Sequence, residues 1–124
     1  MLIKNLITRN KLKKIREHVI LVTEARKSFL EHAVRDAKEV KTNVEMCPMP
    51  LKALSQLLED IIFAAGDCLQ RDAALRECLE NNEYSYVANI SKAADAQYLK
   101  VKKLTELLIT QAEKHGLSRR AYVV

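Results

Sequence analysis

The residues whose types could do chemistry are three histidines, three cysteines and the methionines around one of those cysteines. His18, His32 and His115 fall in helical stretches without the H-E-x-x-H or E-x-x-H spacing that puts metal ligands on one helix face. No metal site is expected. Cys47 with Met46 and Met49 gathers soft sulfur donors of the kind copper(I) prefers, but methionines that fill gaps at the end of a bundle make the same pattern. Cys68 and Cys78 stand ten residues apart, about a quarter turn out of alignment on a helix, and read as small core or boundary residues. With Gly66 and Gly116 as the whole glycine complement, no glycine-rich phosphate loop can form. No cofactor and no small-molecule substrate is indicated, and the chain reads as non-enzymatic.

One short motif points elsewhere. Arg26-Lys27-Ser28-Phe29-Leu30-Glu31-His32 places an arginine and a histidine six positions apart in an all-α chain. This spacing resembles that of helical ribonucleases of the HEPN class, over these seven residues and with Lys27 where a polar residue usually follows the arginine. The resemblance implies RNA cleavage by the Arg26 and His32 pair. An ion pair or a solvated helix face is the plainer reading of the same residues.

The charge is unevenly spread along the 124 residues. Residues 1–45 hold eleven bases against six acids, residues 46–83 three against seven, and residues 84–124 seven against three. An acidic second helix lying between basic neighbours would reduce repulsion inside a bundle. The functional alternative is a polyanion-binding surface, for which Lys11, Lys13, Lys14 and Arg16 form one candidate cluster and Lys100, Lys102 and Lys103 another. Aromatic residues at 5% and the absence of tryptophan leave few platforms for stacking bases.

These residues need elements to position them, and the periodicity supplies only helices. Two glycines and two prolines are too few to punctuate a sheet, while 48% hydrophobic and 30% charged residues suit a globular helical chain. Ile15, Val19, Val22, Ala25, Phe29, Ala33, Ala37, Val40 and Val44 recur at three- and four-residue steps and predict a first helix over 10–45. Cys47-Pro48-Met49-Pro50 stops it. A second helix over 50–80 follows, breaking into two if Gly66 and the Asp67 N-cap signal end it early. Asn81-Asn82 closes it, and a third helix over 84–115 ends at Gly116, leaving a tail over 117–124.

The expected fold is an all-α, antiparallel up-down-up bundle of three long helices in a single domain. Folding at Pro48 and Asn82 brings Ala33, Phe63 and Val101 to one level, so Phe63 is expected in the thickest part of the core. The same folding leaves the chain before Arg16 without a partner, although an amphipathic N-terminal segment over 1–9 continues with Leu2, Ile3, Leu6 and Ile7. Those four are the expected partner-binding residues, because an ordered apolar stripe has to be covered.

No apolar run is long enough to insert across a membrane, and the start of the chain carries no apolar signal region. Three unpaired thiols fit a reducing, cytoplasmic setting. The reading is therefore a protein-protein interaction or adaptor bundle, with self-association to a homo-oligomer within its scope. Nucleic-acid binding through the basic faces comes second and HEPN-like ribonuclease activity third.

Overall fold

The computed structural model describes the backbone of residues 2–46 and 52–114, with the side chains of residues 2–8 and of Ala112 excepted. Three α-helices and one turn of 3₁₀ helix account for nearly all of it: α1 (Leu2–Glu45), α2 (Lys52–Glu80), the short turn Tyr84–Tyr86, and α3 (Val87–Lys114). No strand occurs among the described residues. The expected all-α bundle is the observed one.

α2 is the axis of the bundle, and both α1 and α3 pack on it. Lys41 pairs with Glu59 and Arg26 with Asp72, so α1 and α2 run antiparallel. Cys68 reaches Ala94 and Asp67 is reached by Gln97, which sets α3 antiparallel to α2 in turn. The α2 to α3 connection explains why two asparagines suffice to reverse the chain. Asn82 takes φ 56, the left-handed conformation that asparagine tolerates better than most residues. Glu83 N–H then donates to Cys78 O at 2.8 Å and Asn82 N–H to Leu79 O at 3.3 Å, the paired bonds of a Schellman closure that satisfy the last carbonyls of α2.

Gly66 does not break α2, which runs unbroken from Lys52 to Glu80. A methyl group placed on Gly66 would meet nothing within 4 Å, so the residue serves neither a turn nor a close approach. Asp67, the expected N-cap, spends its carboxylate on Arg71 Nε at 2.8 Å and Gln97 Nε2 at 2.6 Å instead. The Arg71 hydrogen bond holds its pKa below the ordinary carboxylate value against the opposing effect of burial, and Gln97 lowers it further.

The first helix is longer than the sequence pattern predicted. Residues 1–9 were expected as a separate segment ahead of a helix over 10–45, yet α1 begins at Leu2 and is one helix to Glu45. No glycine or proline interrupts that stretch, and Leu, Ile, Lys, Asn, Thr and Arg all tolerate the helix. Arg16 and Ile20 stand beside Leu79 and Glu80 at the end of α2. The overhang before Arg16 is thus as expected, about 21 Å for fourteen residues at 1.5 Å each.

The core has two halves. Near the Asn82 turn, Val19, Leu30, Ala64, Ala65, Cys68, Leu75, Cys78, Leu79, Val87, Ala94 and Val101 form one cluster. Toward the opposite end, Ala37, Val40, Val44, Leu54, Leu58, Ile61 and Leu108 form the other, and Ala33 and Leu104 pack against both. Phe63 is not in either. Its placement in the mid-bundle core is corrected: Phe63 is 69% exposed, because Ile61, Ala64 and Ala65 take the inward positions of that turn.

Candidate functional site

The buried residues of α1 are not the ones its apolar pattern selects. Val19, Thr23, Arg26, Leu30, Ala37, Val40 and Val44 face the bundle. Of the expected stripe, Ile15 is 39% and Phe29 40% exposed, Ala25 is exposed and Val22 only partly covered. Leu21, beside them, is 69% exposed. α1 therefore carries two stripes, and in its first half the inward one admits a threonine and an arginine while the outward one is apolar.

The inward polar residues are fully satisfied. Arg26, 5% exposed, donates from Nε to Asp72 Oδ2 at 2.7 Å and from Nη2 to Asp72 Oδ1, a bidentate pair between α1 and α2. Its Nη1 donates to Asp95 Oδ1 of α3 at 2.8 Å. One guanidinium thus ties all three helices together. The Asp72 hydrogen bonds raise the Arg26 pKa against the opposing effect of burial, so the charge is locked on.

Around this pair lies an aromatic collar. The Arg26 guanidinium carbon is 5.7 Å from the Tyr98 ring centroid and Lys102 Nζ is 5.0 Å from it, both within cation-π range. Phe29 meets Tyr98 edge to face at 5.8 Å. Thr23 Oγ1 donates to Ile20 O at 3.1 Å and accepts from Arg76 Nε at 3.3 Å. Cys68 Sγ donates to Ala94 O at 3.3 Å, and burial pushes its thiol up to about 11, helped by the Asp72 charge. Such a thiol is protonated at neutral pH and is no nucleophile there.

α1 and α3 meet chiefly through these long side chains, and a small cleft of about 70 Å³ opens between them, lined by His18, Val22, Ser91 and Asp95 among others. Its serine, histidine and aspartate make no hydrogen bond to one another. Among the described residues no group of three or more metal-ligating side chains gathers either. The geometry holds helices in register and, among the described residues, offers no activated nucleophile or base.

The sequence-predicted residues distribute as follows. The partner-binding candidates Leu2, Ile3, Leu6 and Ile7 lie on the backbone of α1, but their side chains are outside the described residues. So are Cys47, Met49 and His115. Arg26 and His32 do not come together: Arg26 is buried in its ion pairs, and His32 is exposed with Nδ1 2.7 Å from Ser28 O. Lys11, Lys13, Lys14 and Arg16 are all exposed on the overhang, and Lys100, Lys102 and Lys103 are exposed on α3. Neighbouring helix positions are about 100° apart. The bases at 11–16 therefore encircle α1, Lys100, Lys102 and Lys103 spread over about 160° of α3 rather than lining one narrow face, and Lys102 is already engaged over Tyr98.

Sequence reasoning missed Asp72 and Asp95, and it singled out Arg26 only as the partner of His32, not as an interior charge. A signal existed: Asp72 falls on the stripe Cys68, Leu75, Leu79, and Arg26 on Val19, Leu30, so each charge interrupts an apolar series at core spacing. Two opposite charges at interior positions of adjacent helices imply each other.

No family model matches the chain, and comparison with curated proteins and with solved structures finds no similar protein.

Proposed function

We propose that this chain is a non-enzymatic helical adaptor that binds another protein through the outward side of α1, in a reducing compartment such as the cytoplasm. The observation that carries the reading is the set of exposed apolar residues Ile15, Leu21, Ala25 and Phe29, with the half-covered Val22 beside them, on a helix that also outruns its partners. Single exposed leucines are ordinary, but Leu21, Ala25 and Phe29 follow one another at four-residue steps, and an apolar series at such steps is how a helix docks in or against a partner. The basic overhang adds orientation rather than a chemical site.

A photo-crosslinking residue in place of Leu21, compared with one in place of the exposed Lys38, tests the reading in cells expressing the chain. Protein adducts are expected at position 21, weakened by Phe29→Glu, and not at position 38. Equal adducts at both positions, or none at 21, would overturn it.

Nucleic-acid binding keeps one specific observation in its favour, the exposed Arg9, Lys11, Lys13, Lys14 and Arg16 with no acid before Glu17. Duplex or RNA affinity that falls steeply between 50 and 200 mM salt, as counterion release demands in about that range, would replace the adaptor reading with this one.

A further inference from the structure

The solvent-facing surfaces of the three helices treat charge differently. On α1 and α2 opposite charges pair along the helix, as in Lys27–Glu31, Lys41–Glu45 and Asp67–Arg71. On α3 they do not. Lys92, Leu99, Lys100, Lys103, Leu107 and Lys114 are all exposed and fall within an arc of about 100° at the helical repeat. That arc lies opposite Val87, Ala94, Val101 and Leu108, which are buried in the bundle.

The other positions in the arc are Asn89, Ala96 and Thr110, so it contains no acid. Asp95, Glu106 and Glu113 gather instead on the edge of α3 that Asp95 ties to Arg26 of α1. Among the described residues none of the four lysines closes an ion pair, while Lys102, outside the arc, is engaged over Tyr98. Lysines three residues apart, such as Lys100 and Lys103, repel slightly on a helix. A stripe of one sign is also what steers in an oppositely charged partner.

We infer that this side of α3 is a second docking surface, and that its partner is an acidic helix of another protein with apolar residues among its carboxylates. The surface is separate from the one on α1. From Lys92 to Lys114 the stripe is straight and about 33 Å long at 1.5 Å per residue, so one helix laid along it reaches all four lysines. A phosphate strand winds away from such a line and has no use for Leu99 and Leu107, which are 57% and 50% exposed between the lysines. An acidic helix answers both features. Its carboxylates meet the lysines while its apolar residues cover the leucines.

Fluorescence anisotropy of a labelled peptide on the full chain tests the surface. The probe is an alanine-based helical peptide as long as the stripe, with two leucines spaced as Leu99 and Leu107 are and flanked by glutamates. Binding should weaken as salt rises, and should fall by roughly tenfold or more when glutamines replace the glutamates or alanines the leucines. Lys100→Glu with Lys103→Glu should lose this peptide, take up a counterpart with lysines for glutamates, and keep the wild-type helix content. Lys100→Gln with Lys103→Gln, which removes the charge without reversing it, should show a smaller loss in the same direction. Leu21→Glu, on α1, should change nothing. No binding, equal binding of the glutamine peptide, binding that survives both lysine exchanges, or loss with Leu21→Glu overturns the inference. So does tighter binding of duplex DNA or of phosphatidylserine vesicles through the same lysines. Crosslinking at position 21 is untouched by any of these results, so the two surfaces stand or fall separately.

Discussion

The half of the bundle beside the Asn82 turn and the half around Leu58 hold α1 on α2 by different means. Around Leu58 the buried contact is aliphatic, with Val40 and Val44 of α1 against Leu54, Leu58 and Ile61 of α2, and the Lys41–Glu59 ion pair lies at its solvent-facing edge. Beside the turn the same two helices meet across Arg26 and Asp72, with Thr23 and Cys68 next to them. A dry layer adheres but accepts small slips, whereas a bidentate pair has one register. The difference carries a functional consequence. With Thr23 and Arg26 turned inward, Leu21, Ala25 and much of Phe29 are left outward, so the residue that fixes the orientation of α1 also presents its apolar residues.

The largest effect should come from breaking the ion pair on one side only. Asp72→Ala leaves the Arg26 charge buried without its carboxylate and should destabilise by about 3 to 5 kcal/mol. Leu58→Ala in the aliphatic half, a cavity of the ordinary kind, should lose about 2 to 5 kcal/mol. What separates the halves is rescue. Replacing both charges, Arg26→Met with Asp72→Leu, should return most of the stability in denaturant melts, since a buried pair adds little beyond well-packed apolar groups. If the double variant is as unstable as Asp72→Ala, the pair contributes adhesion as well as register.

A smaller effect is expected from pH. The Cys68 thiol, protonated up to about 11 in the fold, has an ordinary value of 9.0. The unfolded chain therefore releases this proton first, and the stability tied to it is complete below about 9 and is lost as pH rises toward 11. Melts of the wild type across that range should fall more steeply than those of Cys68→Ala. Parallel slopes would mean that Cys68 ionises alike in both states.

Smaller still is Gly66→Ala. With open space around the missing methyl group and an unbroken helix through it, the substitution should raise stability by roughly 0.8 to 1 kcal/mol, the helix-propensity difference. A loss would show that α2 bends at Gly66 in solution.

How much of this was legible depends on what each feature rests on. The helices follow from spacing and stop signals, and the overhang from their lengths, all of which are local. The rotation of α1 about its axis is not local, because two adjacent stripes compete for the core and the more apolar one loses. Val22, Ala25 and Phe29 looked inward on hydropathy alone. Arg26 wins the interior only because Asp72 and Asp95 wait on two other helices, and a pattern read one helix at a time cannot weigh a partner in the next. Phe63 fails for a related reason: folding the chain at its turns gives the level of a residue along the bundle but not the side of the helix it occupies.

Phe63→Ala is accordingly the smallest effect expected and the sharpest check on the boundary between the two halves. Ile61 belongs to one core cluster and Ala64 to the other, so Phe63 stands at the level of the seam but on its outer side. A phenylalanine that leaves 69% of its surface in water forfeits little on truncation, and alanine is the better helix former at an exposed position. Stability should therefore change by no more than about 0.5 kcal/mol, as for other surface substitutions. Thermal melts at low concentration isolate the single chain. A loss of several kcal/mol there would place Phe63 inside the seam and require α2 to be turned relative to both neighbours. That turn would also move Asp72 away from Arg26, so a large effect at Phe63 should come with a small one at Asp72, whereas this packing requires the reverse.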